Sequence, residues 1–289
     1  MPSFTVEIGD VIHSKYKVER VIGEGGMGVV VAAKHLTLDQ TVALKLLSAK
    51  SRESEEALGR FTREAKAAAK IKSEHVGRVL DVDTLPNGAP FIVMEFLEGH
   101  DLAAELRAKV TLPADRAVTI ILQACEAIAE AHAAGIVHRD LKPANLFLTK
   151  TSSDAPLVKV LDFGISKITR KEESGATTDD KALTNAGSML GSPLYMSPEQ
   201  MKASAEVDLR TDIWSLGVIL YECVTGRSPF DANTIPVICA TVLSQDPPPL
   251  GLPSALDGLE RVILRCLEKD PSRRYRDIAH HVRSEEQHV

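Results

Sequence analysis

Four stretches of this 289-residue chain hold residue types in an order suited to chemistry on phosphate. In H-R-D-L-K-P-A-N, His138 to Asn145, Asp140 is a carboxylate that can accept a proton from a hydroxyl. Asn145, five residues later, is a neutral oxygen ligand for a hard cation, and Lys142 can neutralise charge on a group in transfer. In V-K-V-L-D-F-G a short apolar strand delivers Asp162 to a turn at Gly164, seventeen residues after Asn145. Mg²⁺ prefers one or two carboxylates together with substrate phosphates, and Asp162 with Asn145 supplies such a set. G-E-G-G-M-G-V-V places glycines at 23, 25 and 28, where the missing Cβ lets backbone N–H groups approach phosphate oxygens. V-A-L-K puts Lys45 in a mostly apolar run, where an unpaired ammonium is costly.

Each signal has a bland counterpart. A lone glycine loop of this spacing is a plain hairpin turn or a dinucleotide fingerprint, but the fingerprint requires a helix directly after it. Val29, Val30 and Val31 follow instead, so the loop joins two strands and reads as a flap over phosphates. A strand lysine is usually an edge charge. Lys45 has an acid partner in reach of the next element, Glu64 in R-E-A-K, whereas Glu53, Glu55 and Glu56 fall near a helix start and suit its dipole better. A polar loop after a helix does not by itself account for the order His138, Arg139, Asp140, Lys142, Asn145.

The elements that must position these residues are legible in outline. From Tyr16 to Leu47 alternation and β-branched residues predict a small antiparallel sheet, broken at Gly23 to Gly28 and near Asp39. Glu53 to Lys70 carries apolar residues at helical spacing and predicts one helix. G-R-V-L-D-V-D-T and P-F-I-V-M-E-F predict two more strands around the turn Pro86-Asn87-Gly88. After Gly99 the chain turns mainly helical, with predicted helices at Asp101 to Ala108, Ala114 to Ala134, Asp208 to Thr225 and Leu259 to Glu268. Thr169 to Gly187 is polar and reads as a loop. No internal repeat is present. The expectation is α+β: one domain over 1–289, with a β-rich lobe over about 10–96, a hinge over about 95–100 and a larger α-rich lobe over about 100–285.

Composition narrows the function classes. Apolar residues at 44% and charged residues at 26% belong to an ordinary soluble globular protein. A net charge of -6 and the lack of a basic stripe argue against a nucleic-acid partner. Cys125, Cys223, Cys239 and Cys266 lie far apart without metal-ligand spacing and read as buried small hydrophobes in a reducing compartment. No signal peptide is visible. The most apolar stretch, Ala117 to Val137, is interrupted by Gln123, Glu126, Glu130 and His132, so a core helix is expected there rather than a membrane span.

Taken jointly, the motifs resemble those of the eukaryotic-type Ser/Thr protein kinase family, most of all its bacterial eukaryotic-like members, from about Tyr16 to about Asp277. The resemblance implies the bilobal protein kinase fold and a cytoplasmic serine/threonine kinase using ATP with Mg²⁺, or Mn²⁺ in its place. By motif position Gly23, Gly25 and Gly28 would cover the phosphates, and Lys45 would contact them while pairing with Glu64. Asp140 would be the base, Lys142 its neighbour in the Ser/Thr-specific pattern, and Asn145 and Asp162 the metal ligands. Met94, Glu95 and Leu97 in F-I-V-M-E-F-L-E-G resemble the gatekeeper and hinge, with Val30 and Ala43 above the adenine and Phe147 below it.

Further along, G-S-P-L-Y-M-S-P-E resembles the substrate loop and A-P-E element, with Ser197 in place of the usual Ala and Ser192 where Thr is common. The resemblance pairs Glu199 with Arg274, Arg273 being the fallback, and gives Asp212 the role of anchoring the catalytic loop. Arg139 would pair with a phosphorylated loop residue, Thr184 first, then Thr177 and Thr178. Ser188 reads more readily as a solvated hydroxyl. Protein substrates with Ser or Thr acceptors are implied, and analogy admits a homodimer through the small lobe. In this group the kinase domain is often the cytosolic part of a longer membrane-tethered protein. The rival reading is a catalytically silent pseudokinase scaffold, which would require these residues to be degraded.

Overall fold

Among the described residues from Val11 to Glu95, six strands form and Glu55–Ala68 is helical. The computed structural model describes residues 6–25, 28–48, 51, 54–163, 193–202 and 207–278, without the side chains of residues 56, 60 and 64. Backbone contacts divide these into a small unit, running to Lys72 and including Val76–Glu98, and a large unit of Ser73–His75 and the described residues from Gly99 onward. Among the described residues no helix is long and apolar enough to cross a membrane.

In the small unit β1 (Val11–Ile12), β2 (Tyr16–Gly25), β3 (Gly28–His35), β4 (Gln40–Leu47), β5 (Val79–Thr84) and β6 (Pro90–Glu95) pair antiparallel in the spatial order β1-β2-β3-β4-β6-β5. The period of two divides the sheet. Val18, Val31, Ala33, Val42, Leu44, Leu46, Phe91 and Val93 build a dry core on one face, with the Tyr16 and Phe91 rings edge to face at 6.1 Å. On the other face Val30 lies opposite Lys45, Lys45 opposite Ile92, and Ala43 opposite Met94. Helix α1 (Glu55–Ala68) packs on that second face through Phe61 and Ala65 against Ile92 and Leu47. Its N-cap is Ser54, whose hydroxyl accepts the Ala57 N–H, so the helix begins at Glu55, two residues after the start expected from sequence.

The large unit is mainly helical: α2 (Leu102–Lys109), α3 (Ala114–Ala133), α4 (Pro198–Met201), α5 (Arg210–Thr225), α6 (Ile235–Ser244) and α7 (Asp257–Cys266). A small antiparallel sheet joins β7 (His100–Asp101), β8 (Leu146–Lys150) and β9 (Pro156–Val160). Helix α5 is buried on nearly all sides, as its apolar residues without a polar stripe require. Helix α3 takes up most of the Ala117 to Val137 stretch, burying Ala117, Ile120, Ala124, Ile128 and Ala131. Helix α6 and strand β8 are absent from the sequence expectation. I-P-V-I-C-A-T-V-L is rich in β-branched residues and lacks a polar face, so its helical state comes from packing and from Pro236 in the first turn. Cys239 on α6 is only half-buried, unlike the other three cysteines, and all four are free thiols.

Glu105 on α2 is a buried carboxylate gripped by His100 at 2.6 Å, Lys109 at 2.8 Å and Arg116 at 2.8 Å. Burial pushes its pKa up, but the hydrogen bonds from Lys109 and His100 and the charge of Arg116 outweigh this and hold it down at about 2. The cluster ties β7, α2 and α3 together. Its contribution is present above the ordinary carboxylate range and is lost as pH falls towards 2.

Helix α2 ends in an unusual turn. Val110 has φ 66° and ψ -56°, and the Thr111 N–H donates to the Lys109 carbonyl at 2.8 Å, which is a strained γ-turn. It lies against Gly226, the left-handed C-cap of α5, where an added Cβ would meet the Val110 Cγ1 and Thr111 Cγ2 at 2.9 Å. Val110 is 62% exposed, so little packing holds it there. Strain of this kind costs about 1–3 kcal/mol, and a glycine gives back about 0.5–1 kcal/mol in chain entropy. Val110→Gly is therefore expected to stabilise the protein by about 1 kcal/mol, read as a higher urea midpoint; an unchanged or lower midpoint would show that the turn carries no strain.

Candidate active site

The loop from His138 to Asn145 is held from behind by one carboxylate. Asp212, fully buried near the start of α5, accepts the His138 N–H and the Arg139 N–H, both at 2.8 Å, and meets the His132 Nε2 at 2.8 Å. Two successive main-chain donors on one carboxylate force a tight loop, and Arg139 sits at φ 64°. Such a conformation is uncommon for a residue with a side chain and persists where its surroundings over-determine it.

The loop is also tied in front. His138 is buried, its ring packs on Phe163 with centroids 4.7 Å apart, and its Nε2 lies 3.0 Å from the Leu161 carbonyl. Its Nδ1 accepts the Asp140 N–H at 3.3 Å, so the proton is on Nε2, which donates to Leu161. Burial pushes the imidazole pKa down despite the nearby Asp212, in keeping with this neutral tautomer.

Four candidate residues meet on this scaffold. The Lys142 Nζ lies 2.8 Å from an Asp140 carboxylate oxygen, both partly exposed. The Asn145 Nδ2 donates to the Asp140 carbonyl at 2.9 Å, and the Asn145 carbonyl accepts the Leu161 N–H at 2.8 Å. With its nitrogen engaged, the amide oxygen of Asn145 is the atom suited to a hard cation. Asp162 follows Leu161 directly, exposed and at φ 53°. A carboxylate and an amide oxygen on adjoining segments are donors of the right hardness for Mg²⁺ or Mn²⁺. Phe147 is half-buried on β8, paired with Lys159 and Asp101.

Within the small unit, Val30, Ala43, Lys45 and Met94 share one sheet face, the face on which α1 packs. Glu64 lies on α1, its side chain outside the described residues. Glu95 ends β6 and accepts the Arg78 N–H at 2.7 Å, and Leu97 follows, half-buried. Gly23 and Gly25 are on β2 and Gly28 opens β3, with residues 26 and 27 outside the description. A Cβ on Gly28 would fall 1.9 Å from the Leu46 carbonyl oxygen, while one on Gly25 would meet nothing within 4 Å among the described residues. Gly28 is thus required by the chain itself, and Gly25 is not.

Below the loop, Arg274 is buried and bidentate to Glu199 at 2.7 and 2.9 Å; Arg273 instead pairs with Glu268 at 3.2 Å near the surface. Thr177, Thr178, Thr184 and Ser188 lie outside the described residues. Sequence reasoning passed over three contributors. His132 reaches Asp212 from α3, Ser197 uses its hydroxyl on Thr211 at 2.7 Å, and Gln200 donates to the Arg139 carbonyl at 2.9 Å. A histidine on the buried side of an apolar helix was the available signal for the first, since buried polar groups are partnered. A serine where the usual residue has no hydroxyl was the signal for the second.

Residues 16–285 match the family described as "Protein kinase domain". The chain belongs to the protein kinase family. This kinase domain is 42% identical over 271 residues to the serine/threonine-protein kinase pkn3 of Myxococcus xanthus, an alignment covering 92% of this chain and 48% of that protein. It is 34% identical over 273 residues to the serine/threonine-protein kinase PknB of Mycobacterium tuberculosis, covering 93% and 42%. It thus spans about half or less of these two relatives. The crystal structure of the Mycobacterium tuberculosis PknI kinase domain matches it with a TM-score of 0.72 at 25% identity, over 99% of this chain and all of that one. The kinase domain is of the bacterial eukaryotic-like Ser/Thr type and has the bilobal fold, and its family uses ATP with a divalent cation.

The two glycines differ in what the fold itself demands of them. Gly28→Ala is expected to lower stability by about 1–3 kcal/mol through backbone overlap. Gly25→Ala is expected to leave stability within about 0.5 kcal/mol and to raise the KM for ATP. Melting curves beside ATP titrations check both, and an equal loss of stability in the two variants would remove the distinction.

Proposed function

We propose that this protein transfers the γ-phosphoryl group of ATP, in line, to Ser or Thr hydroxyls of protein substrates. The observation that carries the reading is the Asp140–Lys142–Asn145 group on a loop pinned by Asp212. Asp140 accepts the hydroxyl proton as the oxygen attacks phosphorus. Lys142, already 2.8 Å from Asp140, offsets charge on the moving phosphoryl group. Gly23, Gly25 and Gly28 present backbone N–H groups to phosphates, and Lys45, held by Glu64, contacts them as well. Val30, Ala43, Met94, Glu95, Leu97 and Phe147 receive the adenine. Asn145 and Asp162 hold Mg²⁺, with Mn²⁺ fitting the same oxygen donors. The bound cation supplies charge neutralisation on the phosphates. Positioning and electrostatic stabilisation account for most of the rate.

Arg139 supports a regulatory reading. One of its terminal nitrogens bonds the Val207 carbonyl at 3.2 Å, while its buried Nε has no partner among the described residues. A phosphorylated Thr184 offers such a guanidinium about one to three charge-assisted hydrogen bonds; Thr177 and Thr178 are the alternates. Glu199 and Arg274 brace the substrate segment. The chain acts as one kinase domain, a small lobe over about 10–96 hinged near 95–100 to a lobe over about 100–285, working in the cytoplasm, with self-association through the small lobe as a further proposal. A silent scaffold is disfavoured because Lys45, Glu64, Asp140, Asn145 and Asp162 are all present.

Incubated with Mg-ATP, the parent is expected to gain mass in steps of one phosphoryl group on Ser or Thr, and Lys45→Met and Asp140→Asn to gain none. Loss of a general base costs about 10²–10⁴-fold in rate, so Asp140→Asn should be far below the parent on a generic protein substrate. ATP binding without phosphorylation of either self or substrate would favour the scaffold. Thr184→Ala is expected to lower activity by about 10-fold or more, as loss of an ordering phosphate contact does; equal activity of variant and parent would move the switch elsewhere.

A further inference from the structure

The peptide linking Arg139 to Asp140 is gripped at both of its polar ends. Its N–H, that of Asp140, donates to the His138 Nδ1 at 3.3 Å, and its C=O, that of Arg139, accepts from the Gln200 Nε2 at 2.9 Å. Rotation of this one plane re-aims the Asp140 side chain. The residue before the plane sits in the left-handed region, which a non-glycine residue leaves readily unless held. Asp212 holds the N–H of Arg139, but nothing on α5 reaches its C=O; Gln200 does.

Gln200 is itself fixed. Its Oε1 accepts the Ser197 N–H at 3.1 Å, and the Ser197 hydroxyl caps the Gln200 N–H in return, forming a capping box at the start of α4. The amide has one orientation that works, since reversing it would set NH₂ against N–H and oxygen against a carbonyl. Ser197 is fully buried with its hydroxyl 2.7 Å from that of Thr211, which directly precedes Asp212. The neighbouring Glu199 is locked by Arg274. A closed ring of hydrogen bonds therefore runs Asp212–Arg139–Gln200–Ser197–Thr211 and returns to α5. Two anchors on separate segments determine the peptide plane, where one would leave it free to turn.

We infer that Gln200 is a positioning residue for phosphoryl transfer, setting the orientation of Asp140 through the carbonyl of Arg139. This rests on the kinase reading above. A merely structural capping role would use only its Oε1 and the turn at Ser197; the assigned role uses the Nε2 donor. The two are separable by chemistry. Gln200→Glu keeps the acceptor for Ser197 and can donate to Arg139 only when protonated, whereas Gln200→Leu removes both functions.

The test measures kcat and KM for ATP and for a generic protein substrate, with melting temperatures, for the parent and both variants between about pH 4.5 and 8, a window that reaches the ordinary glutamate range. Loss of a positioning contact that shifts a reacting group by a fraction of an ångström is expected to lower kcat by about 10-fold, short of the 10²-fold of a full 1 Å misplacement, with KM for ATP within about 2-fold. The kcat of Gln200→Glu relative to the parent should climb as pH falls and its carboxyl protonates, while the deficit of Gln200→Leu stays flat. Should Gln200→Leu fail to fold, the pH series of Gln200→Glu against the parent carries the test alone. An active parent with Gln200→Glu equal to it at every pH, or lowered by a pH-independent factor, would overturn the role of Gln200 and leave the kinase reading standing. A parent that transfers no phosphoryl group would overturn that reading and the role of Gln200 with it.

Discussion

One buried carboxylate sets the geometry on which the rest of the large unit depends. Asp212 has no exposed surface, and a charge so placed is tolerable only when fully hydrogen-bonded. Its donors are a ring nitrogen on α3 and two consecutive backbone N–H groups just before Asp140. The requirement to satisfy that charge bends the chain and joins the end of α3 and the loop just after it to α5, 73 to 80 residues further on. Helix α5, apolar on nearly every side, provides the rigid post. The loop that carries Asp140 is thus anchored to a helix buried on nearly all sides.

A second constraint governs the small unit. Because strand side chains alternate, the register that buries Leu44 and Leu46 in the dry core also turns Ala43 and Lys45 to the opposite face, beside Val30 and Met94. A slip of one residue would exchange the two sets. Folding stability and the placement of Lys45 are specified by the same hydrogen-bond ladder, and the close approach of Gly28 to the Leu46 carbonyl helps fix that register.

Much of this was legible in the sequence for identifiable reasons. Strands β2 to β6 and helices α1, α3, α5 and α7 announce themselves through periodicity, whereas the two-residue β1 does not, and the motif residues fall in tight local groups such as His138 to Asn145. What escaped depends on contacts between distant segments. Helix α6 has a strand-like composition that packing overrides, and β8 is too short to show alternation. Gln200 and Ser197 reveal their work only once α4 is folded beside Arg139 and Thr211, 61 and 14 residues away. The grip of Lys109, His100 and Arg116 on Glu105 likewise has no local signature beyond the i,i+4 spacing of one pair.

The neutral ring of His138 carries a consequence for acid conditions. Unfolded chains take up a proton on this imidazole near pH 6.5, whereas burial delays uptake in the folded state, so folding weakens as pH drops below that point. When the ring finally charges, Nδ1 becomes a donor facing the amide of Asp140, itself a donor. The contact that steadies the Asp140 amide then turns repulsive. Loss of structure in acid would accordingly begin as a loosening of this loop, which a spectroscopic probe of Phe163, against which the ring is packed, would report.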